Sequence, residues 1–293
     1  MIQVTKKILR RIYKRRPKGV YFRKYDFGLL LVIGGGEFYS GSPALSAMAA
    51  FKAGVDMVRI IAPKRAADII ASFSPDLAAY PLEGKWLEKK HLANLLALTE
   101  SAEVVSRGNI AVVIGGGMGR TEETQDTILE YLSQINIPVV IDADAIHAVG
   151  KNSEVIKGKP FLITPHSYEF FVLTKRKIYE LPYDEKIKTV KEEAARLQTT
   201  ILLKEKPDII SNGKEVALNK VGSPYMSVGG TGDTLAGICG ALLARKIDPF
   251  TAAQAGAYIN GLAGELAGKK LAEGLKATDV INEIPNVLLK FKK

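Results

Sequence analysis

The sequence predicts an α/β protein whose single domain is built on an open, mostly parallel, doubly wound sheet. Three observations carry this. Apolar runs are continuous rather than alternating, which marks strands buried on both faces. Helical patterns separate these runs in a βαβ rhythm. Glycine clusters follow two of the strands directly. The length, 293 residues, is what one large α/β domain uses.

In chain order, strands are expected at Leu29–Ile33, Met57–Ile61, Ile110–Ile114, Pro138–Ile141, Phe161–Ile163 and Thr200–Leu203. Helices are expected near 43–53, 64–72, 88–102, 121–135 and 184–197. A hairpin, Ile209–Ser211 and Glu215–Leu218 around Asn212-Gly213, breaks the rhythm. Beyond residue 230 the pattern turns helical, near 231–245, 249–267 and 277–291. No repeat, low-complexity tract or linker divides the chain.

Apolar residues make up 47% and charged residues 25%, which excludes a disordered chain, a coiled coil and a disulfide mini-protein. The 41 Lys and Arg against 31 Asp and Glu give a net +10. Ten of the basic groups and none of the acids fall in residues 1–25, so the remainder is neutral. Val4, Ile8 and Ile12, with Leu9 and Tyr13, repeat at helical spacing, so residues 2–15 read as an amphipathic helix with a docked apolar stripe and a solvated basic face. Residues 1–23 are therefore expected to form a basic arm and 24–293 the catalytic domain. A nucleic-acid-binding role for the arm is the reading from a different class. It predicts salt-sensitive binding that disappears when residues 1–23 are removed. The favoured expectation involves neither nucleic acid nor membrane. No apolar stretch reaches the roughly 18 residues of a membrane span. The lone Cys239, in an apolar run, reads as a buried small hydrophobe. A cytoplasmic location is expected.

Gly34-Gly35-Gly36 and Gly115-Gly116-Gly117-Met118-Gly119 follow strands, where doubly wound sheets bind ligands. Neither fits a Walker loop or the dinucleotide fingerprint. The sharpest signal is Gly229-Gly230-Thr231-Gly232-Asp233, opening into a helix. Helix N-termini offer unpaired N–H groups and partial positive charge to an anion. An acid there can simply complement the helix dipole. The functional reading, favoured here, is a general base that takes a proton from a hydroxyl attacking a phosphoryl group.

With these motifs the sequence resembles the ribokinase-like superfamily and, within it, the ADP/ATP-dependent NAD(P)H-hydrate dehydratase family. The matching blocks are Lys24-Tyr25-Asp26-Phe27-Gly28, Gly35–Pro43 with Leu45, Gly115–Gly119, and Asp142-Ala143-Asp144-Ala145. They continue with Thr164-Pro165-His166 and Glu169, Leu203-Lys204, and Gly222–Asp233. The resemblance implies a three-layer α/β/α fold and the nucleotide-driven dehydration of NAD(P)H hydrate, by phosphorylation of the ring hydroxyl and elimination of phosphate. It assigns Asp233 as base, with Ser42, Gly117, Gly119, His166 and Asp233 on the hydrate. Lys204, Glu205, Lys206, Pro207, Asp208, Gly229, Gly230, Thr231 and Gly232 fall to the nucleotide, ADP or ATP. It also implies Mg²⁺ and a homo-oligomer. The chain departs from the family pattern at Ser42 (usually alanine), Gly116 (usually proline), Glu205 (usually glycine) and His147 (commonly asparagine). Ser223 and Tyr225 interrupt its Gly-Asn-Pro-Gly.

Asp142 and Asp144, two apart at a strand end, suit either a water-mediated Mg²⁺ or a hydrogen-bonded loop. On chemistry alone His166 reads first as a satisfied strand-end histidine, and the match to the Thr-Pro-His-x-x-Glu block favours the substrate-contacting role. His91 and His147 lack ligand-spaced partners, so no zinc site is expected. Trp86, in a polar loop, reads as a cap on the core rather than a stacking platform. The runner-up activity is a kinase of the same superfamily that phosphorylates a small alcohol, since Asp233 would serve either reaction.

Overall fold

The computed structural model describes residues 1–13 and 19–290. Ten strands form one sheet: β1 (Ile2–Gln3), β2 (Leu29–Ile33), β3 (Met57–Pro63), β4 (Ala78–Leu82), β5 (Ile110–Ile114), β6 (Val139–Ile141), β7 (Phe161–Ile163), β8 (Thr200–Leu203), β9 (Asp208–Ser211) and β10 (Val216–Asn219). The early helices are α1 (Lys7–Ile12), α2 (Gly41–Lys52), α3 (Lys64–Phe73), α4 (Leu92–Ser106), α5 (Glu122–Gln134) and α6 (Asp144–Val149). The later ones are α7 (Ser167–Thr174), α8 (Tyr183–Leu197), α9 (Thr231–Ala244), α10 (Pro249–Leu271) and α11 (Ala277–Leu289).

The strand order is β1-β10-β9-β8-β7-β6-β5-β2-β3-β4. Pairing is parallel from β4 through to β8, and β9 runs antiparallel to both β8 and β10. The chain winds outward from β2 to β4, returns to β5 beside β2, and winds the other way. The loops after β2 and β5 therefore part at the switch point, where this class of sheet opens a crevice.

The continuous apolar runs feed two cores. In β2, Leu30 and Val32 join the cluster on the α2, α9, α10 and α11 face. Leu29, Leu31 and Ile33 join the cluster on the α4 to α8 face. Strand side chains alternate between faces, so every residue of such a run is buried and the sheet becomes the middle of three layers. The expected strands and longer helices are present, with ends displaced by a few residues.

The N-terminal segment differs from the expected helix over 2–15. Ile2 and Gln3 pair in parallel with Ala217 and Leu218, and Val4 N–H donates to the Leu218 carbonyl at 2.9 Å. The open edge of β10 offers these residues backbone partners, so they extend along it and the helix shortens to Lys7–Ile12. Residues 14–18 lie outside the described residues. Val4, Leu9 and Tyr13 are buried against the α10 side, with Ile8 and Ile12 packed beside them. The Tyr13 hydroxyl donates to the Ala53 carbonyl at 2.9 Å, and Arg245 lies 4.6 Å over its ring. Among the described residues no helix is long and apolar enough to cross a membrane.

Candidate active site

Four segments at the carboxyl ends of the parallel strands converge on the start of α9. The Gly230 backbone is left-handed (φ 95°), and no side chain caps the helix after it. Thr231 Oγ1 turns back to the carbonyls of Met226 and Val228, at 2.8 and 3.1 Å. The first-turn N–H groups thus have neither an intrahelical partner nor a capping side chain, which leaves an anion cradle. A Cβ on Gly230 would collide with Leu45 Cδ1 at 2.6 Å and Ala277 Cβ at 2.8 Å, so glycine is required on both grounds.

Asp233 stands in this first turn. The Ser42 hydroxyl, from the first turn of α2, donates to Asp233 Oδ1. The neighbouring Ser46 hydroxyl donates to the Asp233 carbonyl at 3.0 Å. Burial pushes the Asp233 carboxyl up to about 6, and the nearby Asp142 charge adds to this. The Ser42 hydrogen bond and the Lys204 ammonium oppose the shift. Such a carboxylate is a stronger base than a solvated one and is still ionised at neutral pH.

The two glycine loops close over Asp233 from one side. Gly35 N–H donates to the Gly116 carbonyl at 2.8 Å, which ties the loops together across the switch point. A Cβ on Gly116 would lie 2.1 Å from Ser42 Oγ and 3.0 Å from Asp233 Oδ1. Gly117 faces Tyr39 in the same way, its Cβ position 2.8 Å from Tyr39 Cβ. Glycine at 116 therefore makes room for serine at 42, and the two departures from the family pattern are sterically coupled.

Asp142, at the end of β6, accepts from Lys204 Nζ at 2.9 Å and from Thr164 Oγ1 at 2.8 Å. Lys204 also lies 3.5 Å from Glu169 Oε2. Burial weakens the Lys204 charge, but these two carboxylates more than compensate, so its pKa is raised. The Gly232 Cβ position is 3.6 Å from Lys204 Nζ and 4.0 Å from Asp142 Oδ2, which places the ammonium at the anion cradle.

His166 caps α7. Its Nδ1 accepts from the N–H groups of Tyr168 and Glu169 at 3.1 and 3.3 Å, while Glu169 Oε2 accepts from His166 N–H at 2.9 Å. With Nδ1 an acceptor, the neutral ring carries its proton on Nε2, which points to Glu169 Oε1 at 3.4 Å. The strand-end role and an exposed ring edge thus coexist in one residue.

Asp144 is not an open metal ligand. Its Oδ2 accepts from Gly119 N–H at 2.9 Å and its Oδ1 from Arg120 Nε at 2.7 Å, so it holds the second glycine loop. Among the described residues no group of three or more His, Cys, Asp or Glu side chains is placed to hold a metal ion. Trp86 also departs from expectation: it lies across Gly36 and Gly119 rather than on a core cluster.

On the far side of the cradle, a cavity of about 460 Å³ is walled by Lys204, Glu205, Lys206, Asp208, Thr231 and Gly232, with Met226, Leu235, Ala257 and Asn260 behind. Pro207, Gly229 and Gly230 are not among its walls. Glu205 pairs there with Lys186 Nζ at 2.8 Å and accepts from the Ser167 hydroxyl at 2.7 Å. Asp208 accepts from Asn219 Nδ2 at 2.8 Å and from Glu205 N–H at 3.2 Å; burial pushes it up to about 6. Glu169, Lys186 and Asn219 were not among the residues assigned from sequence. Only Glu169 had a signal, the three-residue spacing from His166 that marks a helix start.

The family model described as NAD(P)H-hydrate dehydratase matches residues 30–286. The bifunctional NAD(P)H-hydrate repair enzyme of Pyrobaculum aerophilum is 41% identical over 271 residues, 92% of this chain and 52% of that protein. The chain spans about half the length of such bifunctional relatives. The ADP-dependent (S)-NAD(P)H-hydrate dehydratase of Nitrosopumilus maritimus is 34% identical over 275 residues, 92% of each chain. Among solved structures, the ADP/ATP-dependent NAD(P)H-hydrate dehydratase of Bacillus subtilis, co-crystallised with ATP/Mg²⁺, superposes with a TM-score of 0.79 at 24% identity over 99% of this chain and 98% of that one. A ribokinase-like superfamily protein of Enterococcus faecalis gives 0.83 at 25% identity, over 100% of this chain and 97% of that one. With the three-layer fold and the Asp233 cradle in place, these matches show that the chain belongs to the NAD(P)H-hydrate dehydratase family and carries its ribokinase-like fold.

Proposed function

We propose that this chain is a hydro-lyase that restores NAD(P)H from its hydrate by nucleotide-driven dehydration. The observation that carries the reading is Asp233, a buried carboxylate with a raised pKa in the first turn of an uncapped helix. It has the glycine-loop crevice on one side and the Lys204 cavity on the other. Family membership supplies the reaction class.

In this reading the hydrate enters beside Ser42, Gly117, Gly119 and His166, and ADP or ATP lies along Lys204–Asp208 and Gly229–Gly232. Asp233 takes the proton from the ring hydroxyl as its oxygen attacks the terminal phosphorus. The new O–P bond forms as the bond to the bridging phosphate oxygen breaks, and the shortened nucleotide leaves. The N–H groups of Gly230–Gly232 and the Lys204 ammonium hold the charge on the transferring phosphoryl oxygens. The C–O bond then breaks with its electron pair on phosphate, and a proton leaves the adjacent ring carbon, which restores the double bond. Hydroxide leaves far less readily than phosphate, which explains why a lyase uses a kinase-like site.

Asp142 Oδ2 faces the cradle, so the donor set fits a Mg²⁺ carried on the nucleotide phosphates better than one held by protein ligands alone. Such an ion would neutralise phosphate charge. Mg²⁺, the use of either nucleotide and a homo-oligomeric assembly belong to this proposal and rest on the family resemblance; a cytoplasmic location belongs to it too and rests on the lone Cys239 in its apolar run. The test is incubation with NADH or NADPH hydrate, Mg²⁺ and ADP or ATP, following the reduced-nicotinamide absorbance. Its return supports the reading. Accumulation of a phosphorylated alcohol from a small-molecule panel, with the hydrate untouched, would assign the chain to the kinases instead.

A further inference from the structure

Phe38 and Trp86 form an aromatic corner at the outer end of the two glycine loops, and the phosphoryl chemistry uses neither. Trp86 is the chain's single tryptophan. Its benzenoid edge lies against both loops: a Cβ on Gly36 would stand 2.6 Å from Trp86 Cζ3, and one on Gly119 2.8 Å from the same atom. Glycine at both positions thus lets the indole settle across the loops from outside. Phe38 packs on it with ring centroids 5.8 Å apart and planes at 63°. Even so, Phe38 remains 76% exposed.

The corner is held by polar contacts at its base. Arg65 donates to the Glu37 carbonyl at 2.8 Å, and Lys85, next to Trp86, pairs with the Glu37 carboxylate at 3.3 Å. Arg120, beside Gly119, is half-exposed. A fixed aromatic surface with an open face, bordered by cations, suits a planar base linked to phosphates.

The corner borders the hydrate side of the site: Gly119, which lies under Trp86, belongs to the same loop as Gly116, whose Cβ position is 3.0 Å from Asp233 Oδ1. In the proposed reaction the nicotinamide ring is committed to Asp233. The hydrate carries a second planar base, adenine, beyond its pyrophosphate, and that base is free to take the aromatic corner.

We propose that Phe38 and Trp86 form a stacking subsite for the adenine of the NAD(P)H hydrate, so that the enzyme selects a dinucleotide over a hydrated nicotinamide mononucleotide. This rests on the function proposed above. The test compares wild type and Phe38→Ala on the hydrates of NADH and of reduced nicotinamide mononucleotide, with KM for ATP as the control for general disruption. Losing one base–aromatic stack lowers affinity roughly tenfold. Phe38→Ala is expected to cut the dinucleotide-to-mononucleotide ratio of kcat/KM by about that factor. An unchanged ratio overturns the proposal.

Trp86 fluorescence gives a second readout that needs no turnover. NAD⁺ is expected to quench it saturably and nicotinamide mononucleotide far less, with NAD⁺ quenching weakened by Phe38→Ala. Equal quenching by both ligands, or a Phe38→Ala curve identical to wild type, overturns the subsite. Absence of any hydrate turnover overturns the activity instead and leaves the subsite to the fluorescence result.

Discussion

The Ser42 hydroxyl meets the Asp233 carboxylate across the space that a side chain at position 116 would fill. One short polar side chain from α2 thus sets the protonation and aim of the base on α9. The hydrogen bond favours the ionised form and holds the pKa down against burial. With the Asp233 carboxyl pushed up to about 6, the acid limb of the kcat/KM pH profile is expected to follow it, and Ser42→Ala is expected to move that limb upward. A limb that stays in place or moves down would remove Ser42 from the control of Asp233.

Asp233→Asn tests the base and its cost together. General-base loss lowers turnover by roughly 10²–10⁴-fold, while nucleotide binding should persist. The folded-state pKa of about 6 stands above the ordinary 3.8, so folding favours the protonated carboxyl. That preference stabilises the protein at low pH and is lost as pH rises through this window. At pH 8 the asparagine variant, with no charge to bury, is expected to be more stable by about 1–2 kcal/mol. Calorimetry at pH 8 and pH 4 should show this gain shrinking at the lower pH.

Gly116→Ala places a methyl group 2.1 Å from Ser42 Oγ. Turnover is expected to drop at least about tenfold, as misplacing a reacting group does. In Ser42→Ala/Gly116→Ala the hydroxyl is gone and the nearest neighbours are at 3.0–3.1 Å. The double variant should recover part of the loss. Additive losses would show that the two positions are not coupled.

Lys204→Met leaves Asp142 and Glu169 facing each other's charge without their shared cation. A stability loss of about 3 kcal/mol follows from breaking a largely buried pair on one side. Urea unfolding measures it, and Asp142→Asn in the same chain should return a fraction. Because Lys204 also lowers the Asp233 pKa, any residual activity should show an acid limb displaced to higher pH.

Leu9 is fully buried where the N-terminal segment meets the body. Leu9→Ala is expected to cost about 2–5 kcal/mol, read as a lowered thermal midpoint. A cost under about half a kcal/mol, typical of surface sites, would mean that the segment is not part of the folded core.

The sequence pattern exposed the central strands because each run of five apolar residues in β2 and β5 supplies both cores at once. It did not expose β4, an edge strand in which only Leu82 is buried and Pro81 interrupts the run. Proline is tolerated there because one side of an edge strand has no partner to receive its missing N–H. The two-residue β1 and the six-residue α6 are too short to show any period. Asp233 was legible because glycines must precede a helix that receives an anion. Ser42 was assigned to the hydrate by the resemblance, but it lies 191 residues away in sequence, and its pairing with Asp233 became visible only through the packing of α2 on α9. Glu205 was assigned to the nucleotide from sequence, but its ion pair was not legible there, because Lys186 reaches it from a different helix.

The short β1 strand also changes what the basic arm accomplishes. A sheet that ended at β10 would present a row of free backbone donors and acceptors, a template for pairing with any passing strand. Ile2 and Gln3 occupy part of that row, and Lys6, Lys7, Arg10 and Arg11 follow within a few residues. A second molecule approaching edge to edge meets like charges before it meets a hydrogen-bonding register. Lys6, Lys7, Arg10 and Arg11 thus read as a fender that keeps copies of the protein from zipping together along this edge.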